Sequence, residues 1–145
     1  MYLKTFEELS KNELYALAQL RQKVFIVEQN SIYTDLDDYD QESIHYLDFD
    51  QLGNLIVYAR YRLVERSNEV KIERVVLDKS VRGKGQGKRL MKIILNDINL
   101  HFPRTSIVLS AQLDVCSFYR SLGFVTQGEA YDDGGIEHIS MFYQQ

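Results

Sequence analysis

Three glycines within five residues, Gly83, Gly85 and Gly87, stand between the β-branched run 70–77 and a stretch where Leu90, Met91, Ile94, Leu95 and Ile98 recur at helical spacing. Glycine lets backbone amides approach a ligand closely. The start of a helix offers unpaired N–H groups and the positive end of its dipole, so strand, glycine turn and helix in this order predict a phosphate site. The spacing separates this turn from two common phosphate loops. Arg82 lies five residues before Gly87, and Lys88 is followed by Arg89, so the P-loop pattern and its magnesium-binding hydroxyl are absent. Three residues beyond Gly85 comes Lys88, and three beyond Gly87 comes Leu90, so the third glycine of the dinucleotide fingerprint is absent too. What remains is Arg82-x-x-Gly85-x-Gly87.

Four other residues invite a chemical reading. Glu73 lies inside the apolar strand, where strict alternation points it to the face opposite Ile72, Arg74 and Val76. A carboxylate there is either paired with Arg74 or another cation, or raised in pKa by burial toward the work of a base. His45 and His138 fall in predicted strands and read as hydrogen-bonded structural residues. Cys116 is the only cysteine and has no evident base beside it, which excludes an intrachain disulfide and gives no nucleophile. Three scattered histidines show no ligand spacing, so no metal is expected.

The elements that must position these residues follow from periodicity. Residues 2–6 alternate as an edge strand, and Ser10 followed by Glu13 has capping-box spacing, starting a helix whose apolar face runs from Leu14 to about Glu28. Residues 29–42 are a polar loop with room for one helical turn, a candidate substrate rim. Strands 44–49 and 55–63 flank a turn at 50–54 as an antiparallel hairpin, and Ser67 and Asn68 turn into the strand before the glycines. After the helix, Pro103 marks a break and residues 106–111 read as a strand buried on both faces. Strand, helix and strand then imply a parallel pair. Asp114 caps a short helix ending at Gly123, and strands 124–131 and 136–143 close the chain as a hairpin.

At 145 residues and 45% hydrophobic content, the chain predicts one compact domain over 1–145, with no apolar run near the ~20 residues that span a bilayer. A charged N-terminus in place of a signal peptide suggests a cytoplasmic protein with no membrane partner. The net charge of −4 hides an asymmetry: residues 79–92 carry six cations and no acid, and residues 28–50 carry eight carboxylates and no Lys or Arg. The cationic stretch suits an anionic cofactor, while the acidic remainder argues against nucleic acid.

The glycine pattern Arg82-x-x-Gly85-x-Gly87 resembles the R/Q-x-x-G-x-G/A turn of the GNAT superfamily of N-acetyltransferases. Phe118-Tyr119-Arg120-Ser121-Leu122-Gly123-Phe124 matches the F-Y-x-x-x-G-F segment of that superfamily, in the right order. Phe25-Ile-Val-Glu-Gln-Asn30, the acidic residues from Asp37 to Asp40, His45, and Gly135-Ile-Glu-His-Ile-Ser-Met141 resemble its ElaA-like branch. The resemblance implies an α/β fold with a central mixed, twisted sheet and helices on both faces, whose two parallel strands splay to admit the pantetheine arm of acetyl-CoA. It implies backbone contacts from Val75, Val76 and Leu77 to the pantetheine and thioester, and a pyrophosphate held by Arg82, Gly83, Lys84, Gly85, Gln86, Gly87 and Lys88. Gln112 stands where many relatives have Asn, as a further cofactor contact.

By the same resemblance Tyr119 is the general acid for the departing thiolate and Glu73 the base, directly or through water. Glu28, His45 and His138 are candidates for the acceptor pocket. The acceptor is a small-molecule amine or a protein lysine or N-terminus, and the acidic run favours a cationic one. A homodimer is left open. A coenzyme A-binding sensor or interaction protein without turnover fits the cofactor motif as well, and Tyr119 with Glu73 favours the enzyme.

Overall fold

The computed structural model describes residues 2–144. The strands are β1 (Tyr2–Thr5), β2 (Ile44–Phe49), β3 (Leu55–Val64), β4 (Glu69–Leu77), β5 (Ser106–Gln112), β6 (Phe124–Asp133) and β7 (Ile136–Tyr143). The helices are α1 (Lys11–Arg21), α2 (Gln86–His101) and α3 (Cys116–Ser121). One seven-stranded sheet runs in the order β1-β2-β3-β4-β5-β7-β6. Only β4 and β5 are parallel; the other neighbours are antiparallel. This is the mixed sheet that the resemblance implied.

Alternation along the strands supplies two cores, one on each face of the sheet. Leu47 and Tyr58 pack under Leu17, Leu20 and Val24 of α1 and its extension. Tyr46, Val57, Ala59, Val70, Ile72 and Leu109 face the other way, against Leu90, Met91, Ile94 and Ile98 of α2. The capping box is formed: Ser10 Oγ accepts from the Glu13 amide at 3.1 Å, and Glu13 Oε1 accepts from the Ser10 amide at 2.8 Å. Past Arg21 the helix continues to Glu28, wound as a π-helix over Gln22–Glu28. Of the expected apolar face, Leu14 and Val27 are exposed, and Arg21 is fully buried among the leucines instead. Asp114 does not cap α3: it lies within the 3₁₀ turn Leu113–Val115, and no side chain caps that helix.

The irregularity that shapes the molecule is in β4. Tyr58 pairs with Val76, but Arg60 pairs with Glu73, so Ala59 faces both Arg74 and Val75. This is a β-bulge, and Arg74 adopts φ +57°, a conformation costly for a side-chain-bearing residue. The extra residue inverts the facing of everything after it. Ile72 therefore packs beneath α2, whereas Val76 packs beneath α1. Strict alternation had set Glu73 opposite Arg74 and Val76; the bulge puts all three on the α1 face. Parallel pairing of β4 with β5 extends only from Glu69 with Ser106 to Ile72 with Leu109. Beyond that level the two strands part.

Candidate active site

A cleft of about 990 Å³ opens where β4 and β5 separate. Arg82, Gly83, Gly85, Gln86, Gly87 and Lys88 form the glycine-turn end of its lining, Val75, Val76, Leu77, Ala111, Gln112 and Tyr119 line the parted strands, and Glu73, Ser110, Ile136 and His138 complete it, with His138 opposite Gln112 on the β5–β7 ladder.

The glycine end is an open cradle of amides. Gly85 is the residue preceding α2, at φ +81°, and no side chain caps the helix. The first α2 amides thus have no intrahelical acceptor. A Cβ added at Gly83 or Gly85 would meet nothing within 4 Å, whereas one at Gly87 would come within 3.2 Å of the Phe118 ring. Gly87 is needed for packing α2 against α3, and Gly83 and Gly85 for backbone conformation. Arg82 reaches across the mouth to Glu28, with Nη1 2.6 Å from Oε2 and Nη2 3.1 Å from Oε1, and its Nε donates to the Leu77 carbonyl at 3.1 Å. Glu28 accordingly holds a carboxyl pKa below the usual range, first through the Arg82 hydrogen bond. Lys84 does not line the cleft; its Nζ donates to the Ser80 carbonyl.

Tyr119 is buried with its ring edge-on to Phe118 and Phe124. Its hydroxyl has no hydrogen-bond partner among the described residues, while the residue lines the cleft. Burial raises its pKa, with the nearby Cys116 adding to the effect, so the phenol is a proton-bearing group at neutral pH. Cys116 itself is buried, its thiol near the Gln112 carbonyl at 3.7 Å. Gln112 Nε2 donates to Gln29 Oε1 at 3.1 Å, tying the end of β5 to the end of the π-helix.

Glu73 is paired, with Arg62 Nε at 2.7 Å and Arg60 Nη2 at 3.3 Å both on Oε1, and with Lys71 Nζ 3.9 Å from Oε2. The cations are these three, not Arg74. Arg74 pairs with Asp35 at 2.9 Å and Asp37 at 3.1 Å. His138 lies opposite Gln112 of β5 and Tyr131 of β6, its Nδ1 donating to the Ile136 carbonyl at 2.7 Å.

His45 is not in the cleft. It is fully buried on β2, with Nε2 donating to the Asp40 carbonyl at 2.8 Å and Nδ1 accepting from the Tyr58 hydroxyl at 2.5 Å. Burial lowers its pKa, and the neutral ring serves the loop before β2. Its place in the acceptor pocket is withdrawn because both ring nitrogens are taken and no face reaches the opening.

A family profile described as "Acetyltransferase (GNAT) domain" matches residues 7–144. The chain belongs to the GNAT acetyltransferase family. Protein ElaA of Escherichia coli (strain K12) is 39% identical to it over 137 residues, 92% of this chain and 89% of the relative. The crystal structure of Escherichia coli ElaA matches with a TM-score of 0.92 at 36% identity, over 99% of this chain and 97% of that one. An acyl-CoA N-acyltransferase from Pseudomonas aeruginosa matches with the same TM-score at 35% identity and the same coverage. A coenzyme A complex of an aminoglycoside 6′-N-acetyltransferase, 15% identical, shares the fold with a TM-score of 0.69, over 98% of this chain and 96% of that one. The protein is thus a GNAT enzyme, of a family that moves acyl groups to amines.

What sequence reasoning missed in this GNAT cleft is the charge network that Glu73 joins through Arg60. Arg21 binds Asp35 and Asp40, Arg60 binds Asp37 and Asp40, and Arg74 completes the set. These pairs hold the loop over residues 29–43 against the α1 face, and the same loop supplies Ser31 and Tyr33 to the cleft. Ser31 Oγ donates to the Gly134 carbonyl in the β6–β7 turn, so the loop bridges to that hairpin. The signal was present in the sequence: Arg21 and Arg60 are charged residues inside apolar patterns, as Glu73 is. No group of three His, Cys, Asp or Glu side chains among the described residues could hold a metal ion. No helix among the described residues is long and apolar enough to cross a membrane.

Proposed function

We propose that the protein transfers the acetyl group of acetyl-CoA directly to a primary amine, with no covalent enzyme intermediate. The observation that carries this reading is a single cleft joining an uncapped amide cradle, a parted strand pair and an unpartnered Tyr119 hydroxyl. The diphosphate fits the amides of Gly83 to Lys88, with Lys88 and Arg82 beside it, and the extended pantetheine arm fits the gap where β4 leaves β5. Val75, Val76, Leu77 and Gln112 line that gap. The bulge supports the reading, since the ladder it interrupts would otherwise occupy the backbone groups an amide-bearing arm needs. Tyr119 gives its proton to the thiolate as the C–S bond breaks. A buried neutral phenol is suited to that role in charge state, and positioning offsets its weak acidity. A sensor without turnover would have no need of an open phenol at that place.

The acidic run that favoured a cationic acceptor is largely engaged inside the protein: Asp35, Asp37 and Asp40 by arginines, Glu28 by Arg82, and Asp50 by the amides of its own turn. A cationic preference now depends on Asp133, which lines the cleft and has no partner among the described residues. The test is thiol release from acetyl-CoA across polyamines, amino acids, amino sugars and lysine peptides, with wild type and Tyr119→Phe compared. Saturable release with at least one amine, reduced about 10²-fold or more by Tyr119→Phe with coenzyme A affinity unchanged, is expected. Tight coenzyme A binding with no release on any amine would leave a binding protein instead. A location in the cytoplasm belongs to the same proposal.

A further inference from the structure

The acetyl-transfer reading requires a group that takes a proton from the incoming amine, because an alkylammonium has no lone pair to attack with. Two side chains that line the cleft, Glu73 and His138, compete for that role, and their hydrogen bonds separate them. Glu73 has three cations within 4 Å, and its Oε1 already accepts from Arg62 and Arg60. It acts as the counter-ion that keeps Arg60 and Arg62 buried against β4.

His138 is arranged differently. Its Nδ1 faces a carbonyl oxygen, which can only accept, so that nitrogen bears the hydrogen. In the neutral ring Nε2 is then a bare acceptor. It has no partner among the described residues, is not sealed from solvent, and belongs to a residue lining the cleft. The ring is held by stacking on Tyr131 at 6.2 Å between centroids and by its place on β7 opposite Gln112. Tyr131 of β6 is the titratable group against the ring, and Asp133 at the β6 tip, Lys71 and Glu73 of β4, and Tyr33 of the loop are titratable groups of the same cleft lining. Lys71 and Glu73 lie 3.9 Å apart and offset one another, and Tyr33 donates to Asp35.

Resting on the acetyl-transfer reading, we infer that His138 Nε2 is the base that deprotonates the acceptor amine. The ammonium gives one proton to Nε2, forming imidazolium. The freed nitrogen lone pair attacks the acetyl carbonyl carbon, a C–N bond forms, the C–S bond breaks, and sulfur takes the Tyr119 proton. The second nitrogen proton restores Tyr119 through solvent, and the imidazolium returns its proton to bulk, so one proton is released per acetyl group transferred. Glu73 is a positioning residue in this scheme.

Two measurements test it. Long-range nitrogen–proton spectra of imidazole-labelled protein with coenzyme A bound read the tautomer directly, and an Nδ1-protonated neutral ring at His138 is expected. The pH profile of kcat/KM, taken with whichever amine of the thiol-release panel reacts fastest, should show an acid limb that depends on His138. His138→Gln should abolish that limb and lower kcat/KM about 10²-fold with coenzyme A affinity within twofold; Glu73→Gln should keep the limb. An Nε2-protonated ring, or a limb that survives in His138→Gln and vanishes in Glu73→Gln, overturns the assignment. Failure of every amine to release thiol would refute the acetyl-transfer reading itself, and the tautomer would still decide whether His138 can accept a proton.

Discussion

Glu28 and Arg82 show how a residue read as part of one half of the site can act on the other. The resemblance makes Glu28 a candidate for the acceptor pocket, but its carboxylate engages the guanidinium of Arg82 through both oxygens. An exposed pair of this kind contributes about 0–1 kcal/mol. On the proposed reading, a diphosphate arriving at the turn would meet an arginine already occupied and a carboxylate of its own sign beside it. Glu28→Gln should therefore tighten coenzyme A binding, by roughly threefold at low salt, with the gain shrinking as salt screens the carboxylate. Calorimetric titration with coenzyme A, and with pantetheine as the ligand lacking the diphosphate, checks this. Weaker coenzyme A binding in Glu28→Gln, or an equal gain for pantetheine, would mean that the pair supports the cleft rather than competes for the phosphate.

At the scale of elements, the bulge in β4 and the loop over residues 29–43 form one device. The bulge brings Arg74 round to the α1 face, and there Asp35 and Asp37 of the loop bind it, which favours the φ of +57° that the residue would otherwise avoid. Arg60 is the hub: fully buried, it binds Asp37, Asp40 and Glu73. Arg60→Met removes the charge and leaves those carboxylates facing a thioether, at an expected cost of about 3–5 kcal/mol in urea unfolding. Arg62→Met, which leaves Glu73 still paired to Arg60, should cost less. Most strands were legible because alternation and turn residues agree along them; β2 and β7 match the expected spans residue for residue. The glycine turn before α2 was legible because three glycines within five residues have few other uses. The bulge was not legible: inserting one residue changes no composition, and its stabilising partners lie 37 and 39 residues away in the chain. The loop read as a polar substrate rim for the same reason, since the cations that bind its carboxylates belong to α1, β3 and β4.

Across the whole molecule, the network divides the acidic residues into those that serve stability and those left for the cleft. A carboxylate whose pKa is depressed by folding contributes stability above its unfolded pKa and loses it as pH falls through the folded value. Asp37 goes from 3.8 to about 2; burial opposes the shift, but the hydrogen bonds of Arg60 and the Tyr39 amide, with the charges of Arg60 and Arg74, outweigh it. Glu13, in the capping box and bound by Tyr2 and Lys4, goes from 4.5 to about 2 against the same opposition from burial, and Asp40 moves down as well. Stability should therefore begin to decline as pH falls below 6.5, where His45 is protonated in the unfolded chain but held neutral by burial in the folded one, and fall steeply between about 4.5 and 2, where these carboxylates are protonated in the unfolded chain first. Asp37→Asn removes one of them at the clamp, costing about 2 kcal/mol at pH 7 and nearly nothing at pH 2, so the two stability curves should converge as the pH falls. Glu13→Gln should converge with wild type in the same window but leave coenzyme A binding untouched, because it lies outside the cleft lining, whereas Asp37→Asn should loosen the loop that carries Ser31 and Tyr33. Urea unfolding from pH 7 to pH 2, with hydrogen exchange of the 29–43 amides at pH 7, separates the two. Parallel rather than converging curves for Asp37→Asn would show that its carboxylate is not held in the folded state by Arg60, and unchanged exchange in the loop would show that Asp37 does not clamp it.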